Sequence, residues 1–195
     1  WQLINGSWYW LDPETGARAT GLTDVYGTKY DFASDGAMVT GWVRVGDDWY
    51  YFGASGAAAK GWVLVNGSWY WLDPETGIMK TGWLELSGNK YFLTASGAME
   101  TGWLLDNGSW YYFDASGAMT KGWLCLGGVW YWLDLETGVM ATGPAEISGT
   151  KYYFASNGAM ASGAWVLDGS DWYYADASGA LSRGWMYNGN WYYLD

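Results

Sequence analysis

The chain has 195 residues, of which 18 are Trp, 17 Tyr, 5 Phe and 30 Gly; it has one Cys and no His, and 20 acidic against nine basic residues give a net charge of −11. So acidic a chain cannot neutralise a run of phosphates, which excludes nucleic acid, and the missing His removes Ser-His and Cys-His catalysis and most zinc sites. A single Cys cannot build a disulfide framework, no apolar run reaches the roughly 18 residues of a membrane span, and an apolar content of 50% is too high for disorder.

One cycle repeats from the first residue onward. Its leading position holds Trp1, Leu22, Trp42, Trp62, Trp83, Trp103, Trp123, Pro144, Trp165 and Trp185, in steps of 20 or 21 residues. Residues 1–195 therefore read as a single array of nine full units and a shortened tenth. The array opens on Trp1 without a preceding Gly and without a leader, and stops at Asp195 before a loop, so it is expected to be a piece of a longer secreted protein.

Each unit predicts one β-hairpin. Asn5-Gly6, Asn66-Gly67, Asn107-Gly108 and Gly127-Gly128 suit two-residue turns that need positive φ at both central positions. In the fourth unit this places Val65 opposite Ser68, Leu64 opposite Trp69, Val63 opposite Tyr70 and Trp62 opposite Trp71. The second strand then has four slots. The second slot is Tyr in every unit, and the fourth is always apolar, for example Phe52 or Leu72. The first and third admit Lys29, Lys90, Lys151 and Asp31. Because side chains alternate faces along a strand, slots two and four are expected to face a core and slots one and three to face outward.

Charge supports this register. Asp24, Glu85 and Glu146 fall opposite Lys29, Lys90 and Lys151, a mildly favourable arrangement across a ladder. These units are the second, fifth and eighth, and Trp1, Trp62 and Trp123 are 61 residues apart, so the larger repeat is three hairpins. The expected architecture is an all-β solenoid of about ten stacked hairpins with about three per turn, because a lone hairpin is marginal in water. The tenth unit departs: with Asn188-Gly189 as its turn, Trp185 would pair with Tyr192 and change face.

The block Gly102-Trp103 … Trp110-Tyr111-Tyr112-Phe113-Asp-Ala-Ser-Gly117-Ala-Met119-Thr-Lys-Gly122-Trp123 resembles the choline-binding, or cell-wall-binding, repeats of Gram-positive surface proteins. The resemblance covers the whole chain and extends to glucan-binding and clostridial toxin repeats, which tend to lack the Gly-Trp tryptophan. It implies a left-handed hairpin solenoid, secreted to the bacterial cell surface. Such arrays are non-catalytic anchors that hold choline on teichoic acids in aromatic boxes between hairpins.

A quaternary ammonium has no hydrogen to donate and is bound by the faces of several rings, with Met able to fill a side wall. Grouping each unit's outward Trp pair with the next unit's leading Trp and the Met between gives two complete boxes. These are Trp62, Trp69, Met79 and Trp83, and Trp103, Trp110, Met119 and Trp123. Two further junctions lack only the Met: Trp42, Trp49 and Trp62 beside Ala58, and Trp165, Trp172 and Trp185 beside Leu181. The junction after Trp123 and Trp130 meets Pro144, the first meets Leu22 and Arg18, and those fed by Lys lack a wall.

Two other functions remain open. The same rings could stack on a neutral glycan, although only Ser68, Ser109 and Thr81 supply polar groups nearby, or the array could be a stalk that self-associates without ligand. No cofactor and no metal is implied: Asp12, Asp73, Asp114 and Asp134 open loops that lack the ligand density of a calcium site, and read as turn-forming residues. Cys125 shares its slot with Leu64 and Leu105 and reads as inert, and no carboxylate pair stands apart from the repeat as a glycosidase dyad would.

Overall fold

A computed structural model describes residues 1–194; Asp195, the end of the expected array, lies outside the described residues. The chain forms two compact units, Trp1–Glu100 and Thr101–Asp195. Each is built from antiparallel hairpins, and the described residues contain strands and turns but no helix.

In the first unit the hairpins are Gln2–Ile4 with Ser7–Tyr9, Gly21–Val25 with Thr28–Phe32, Gly41–Val45 with Asp48–Phe52, Gly61–Val65 with Ser68–Leu72, and Gly82–Leu86 with Asn89–Leu93. In the second they are Gly102–Asp106 with Ser109–Phe113, Gly122–Leu126 with Val129–Leu133, Gly143–Ile147 with Thr150–Phe154, Ala164–Asp168 with Asp171–Ala175, and Gly184–Tyr187 with Trp191–Leu194. We number them one to ten in chain order.

Local chemistry sets the turns. Asn66 has φ 50° and Gly67 φ 83°, the two left-handed positions of a type I′ turn, whose twist matches that of the strands. Trp62 pairs with Trp71 and Leu64 with Trp69, as the turn requires. Asp24 stands opposite Lys29, Glu85 opposite Lys90 and Glu146 opposite Lys151.

The fourth slot forms the core. Phe52, Leu72 and Leu93 in the first unit and Phe113, Leu133 and Phe154 in the second are fully buried. Each such side chain contributes about 1.5–3 kcal/mol relative to exposure. The loop after each hairpin folds back over this residue: Leu72 bridges Met79 and Phe154 bridges Met160.

The same loops stitch neighbouring hairpins. Met38, Ala58, Met79 and Met99 donate their backbone N–H to the carbonyls of Trp8, Lys29, Trp49 and Trp69, all at 2.8 Å. In the second unit Met140, Met160 and Leu181 donate to Trp110, Trp130 and Lys151, again at 2.8 Å. Each loop thus joins its own hairpin to the preceding one, and each unit is a β-hairpin solenoid.

The tenth hairpin differs from the expectation. Trp185 pairs with Tyr193, not Tyr192, and Tyr187 with Trp191, leaving Asn188, Gly189 and Asn190 as the loop. One cross-strand pair is lost and one loop residue gained. Because the lost pair takes a residue from each strand, parity is preserved and Trp185 keeps the face of the other leading tryptophans.

Candidate aromatic boxes between hairpins

Strand parity puts Trp42 and Trp49 on one face of the third hairpin. Their ring centroids lie 6.5 Å apart with planes at 82°. The face opposite them comes from the fourth hairpin, whose Tyr70 ring lies 4.8 Å from that of Trp42. Hairpins therefore stack face to back, the outward face of one against the Tyr face of the next. Trp62 meets Tyr91 at 5.2 Å, Trp103 meets Tyr131 at 5.0 Å, and Trp165 meets Tyr192 at 4.9 Å.

A cavity of about 370 Å³ lies among Trp42, Trp49, Tyr70 and Met79, and Ala95 and Ser96 close it from the loop after the fifth hairpin. A second, of about 350 Å³, is lined by Trp1, Trp8, Tyr30 and Met38 with Ala54 and Ser55. A third, also about 350 Å³, is lined by Trp123, Trp130, Tyr152 and Met160 with Ser178. These sizes suit a small-molecule site, for which about 300–1,000 Å³ is usual. Three successive hairpins or their loops contribute to each. None of the three is lined by a charged side chain.

The box membership differs from the sequence grouping. Met79 belongs with Trp42 and Trp49, not with Trp62, Trp69 and Trp83, because its loop folds back one hairpin rather than forward. For the same reason Met119 is not the wall for Trp103, Trp110 and Trp123. The carbonyl of Trp110 takes the Met140 N–H, while the Met119 side chain packs on Gly138. The next unit's leading residue is replaced by its second-slot Tyr: Trp62 is absent from the Trp42 lining, and Pro144 from that of Trp123. Trp83 instead packs on Phe92 across its own hairpin at 5.3 Å, and Trp185 on Tyr193 at 5.3 Å. Ala58 and Leu181 are stitched to Lys29 and Lys151, so neither leaves a gap beside Trp49 or Trp172.

Two boxes set aside by the sequence reading are built. Arg18 packs against Gly36 rather than lining the Trp1–Trp8 cavity, and Pro144 has no part in the Trp123–Trp130 cavity. Tyr30, Tyr70 and Tyr152 are the residues missed. Their signal was the second slot, Tyr in every unit, which parity alone assigned to the core.

The acidic loops are self-satisfied. Asp73 Oδ1 accepts from the Thr76 N–H at 2.9 Å, the Thr76 hydroxyl at 2.9 Å and the Glu75 N–H at 3.1 Å. Asp12 and Asp134 repeat this with Thr15 and Thr137. Bonds from the Thr N–H and hydroxyl hold these three carboxyls below the usual carboxylate range. Asp114 and Asp176 are lowered first by the hydroxyls of Ser116 and Ser178. Cys125 is exposed, opposite Trp130.

A hairpin solenoid with repeated three-ring cavities defines a class of repeat-built binding modules. The family model described as choline-binding repeat matches residues 39–82, 80–119, 100–144 and 141–184, and that for the putative cell wall binding repeat matches 1–14 and 186–195. The chain belongs to the choline-binding repeat family. It is similar to the solved structure of CbpJ from Streptococcus pneumoniae TIGR4, with 30% identity and a TM-score of 0.78 over 97% of this chain and 89% of that one. It also resembles CbpF solved in complex with ipratropium, with 28% identity, a TM-score of 0.66, and 97% and 83% of the two chains covered. A third is the autolysin LytC from Streptococcus pneumoniae in complex with a synthetic peptidoglycan ligand, with 27% identity and a TM-score of 0.72. There 99% of this chain matches 46% of the autolysin. A comparison with curated protein sequences returns no match.

Proposed function

We propose that this chain is a non-catalytic module that holds a protein on the outer surface of a Gram-positive bacterium by binding choline on wall teichoic acids. The observation that carries this reading is the Trp42–Trp49–Tyr70 cavity, three rings with Met79 as a further wall and without a charged lining residue. A quaternary ammonium cannot form hydrogen bonds and gains about 2 kcal/mol or more from ring faces once desolvated. The net charge of −11 raises the local concentration of a cationic ligand. Several weak sites on one array engage a polymer with an avidity roughly 10²–10⁴ above a single site.

Neutral glycan is the second reading, and Ser55, Ser96 and Ser178 favour it as polar residues in the linings of the three boxes. Isothermal titration separates the two. Choline is expected to give saturable heat that Trp49→Ala diminishes, and free choline to elute the protein from a choline-bearing matrix. Heat with a choline-free wall glycan and none with choline would replace the first reading by the second.

A further inference from the structure

The second hairpin carries Lys where other boxes carry an outward Trp, and its side chain does not pair with the acid across the ladder. Asp24 Oδ1 accepts from the Gly27 N–H at 2.7 Å, while the Lys29 ammonium donates to the Thr76 carbonyl at 2.9 Å. The same ammonium lies 5.6 Å from the centroid of the Tyr50 ring, inside the roughly 6 Å range of a cation–π contact.

These partners occupy box positions. The Lys29 carbonyl accepts from the Ala58 N–H at 2.8 Å, as Trp8 accepts from Met38 and Trp49 from Met79. Tyr50 holds the slot that Tyr30 and Tyr70 hold in the boxes of the first and third hairpins. Thr76 lies in the loop two hairpins on, the loop position from which Ser55 and Ser96 reach those two boxes. Tyr50 is only 5% exposed, whereas Tyr30 and Tyr70 are half-buried beside open cavities. Leu22 replaces the leading Trp, and Ala58 the Met wall, which leaves room for the lysine stem.

We infer that Lys29 is a built-in ligand: its ammonium occupies the cation seat of the second hairpin's box. It closes that box to an external quaternary ammonium and fastens the second and third hairpins to the loop after the fourth. The inference rests on reading the neighbouring boxes as cation seats. The Tyr50 ring is covered, with Gly77 of the Thr76 loop beside it, and the ammonium has a carbonyl acceptor and an aromatic face together. The seat also differs in chemistry from the open boxes. The Thr76 carbonyl requires a hydrogen donor, which a primary ammonium has and a quaternary one lacks.

Two variants test this. Lys29→Ala is expected to lower the melting temperature, and methylammonium chloride to recover part of that loss relative to sodium chloride at equal ionic strength. The gain should exceed that of the wild type, and tetramethylammonium, which cannot donate to Thr76, should recover less. Lys29→Arg should melt near the wild type. The combined Leu22→Trp, Lys29→Trp and Ala58→Met chain should bind one more choline than the wild type. If Lys29→Ala melts as the wild type does, or methylammonium favours it no more than the wild type, the inference is overturned. An unchanged stoichiometry in a combined variant whose circular dichroism is native also overturns it. If that variant does not fold, the Lys29→Ala melts decide alone. If the wild type shows no heat with choline, the choline reading of the open boxes fails, and the methylammonium melts still decide whether Lys29 fills a seat.

Discussion

The backbone N–H of Met79 donates to the carbonyl of Trp49 at 2.8 Å, although the two belong to different hairpins. This bond carries the thioether to the Trp42–Trp49 cavity and leaves Trp69 to be served by Met99.

Coupling between side chains should follow that bond. Trp49→Ala and Met79→Ala should each weaken choline at one site, and the double variant should lose less than the sum. A double-mutant cycle by titration is expected to give about 0.5–3 kcal/mol for Trp49 with Met79 and near zero for Trp69 with Met79. Coupling of Met79 to Trp69 alone would restore the grouping read from the sequence.

Gly97 offers a second handle on the same box. A Cβ there would sit 2.2 Å from the Met79 sulfur, and its φ is +82°. Gly97→Ala should therefore displace Met79 and cost about 1–2 kcal/mol for the left-handed backbone. In choline titrations followed by indole N–H resonances, Trp42 and Trp49 should lose response while Trp123 and Trp130 keep theirs.

Turn chemistry should show in stability without touching the boxes. Asn66 adopts φ 50° with an exposed side chain. Asn66→Gly should be close to neutral, while Asn66→Ala should cost about 1 kcal/mol because alanine tolerates that region poorly. Thermal melts of the two variants provide the check, and equal melts would remove the turn argument.

Acid should destabilise the loops. Asp12, Asp73 and Asp134 have folded values below the usual carboxylate range because Thr N–H and hydroxyl groups bond the ionised form. For an acid lowered on folding, the stabilisation is fully present above the unfolded value and is lost as pH falls through the folded one. Melting temperature should hold from neutral pH to the ordinary carboxylate range and then drop in stronger acid. Thr137→Val, which removes the hydroxyl bonding Asp134 at 2.8 Å, should make that drop shallower. An acid limb identical to the wild type would show that this bond does not carry it.

The hairpins, their register and the buried slot of Phe52 and Leu72 were legible in the sequence because their causes are local. Asn-Gly turns set the pairing, and a period of two sorts the faces. Even the tenth hairpin needed only a different count of loop residues. The box partners were not legible. Tyr70 reads as core by parity, yet it faces Trp42 once hairpins stack face to back. Met79 lies in sequence after Trp69, but a backbone hydrogen bond, which no side chain encodes, returns it to Trp49. The Lys29 ammonium has Asp24 opposite it in the ladder and bonds instead to Thr76, two hairpins on. Turn type and strand parity act over a few neighbouring residues, whereas the walls of each box come from three hairpins, and only their stacking decides which residues share one cavity.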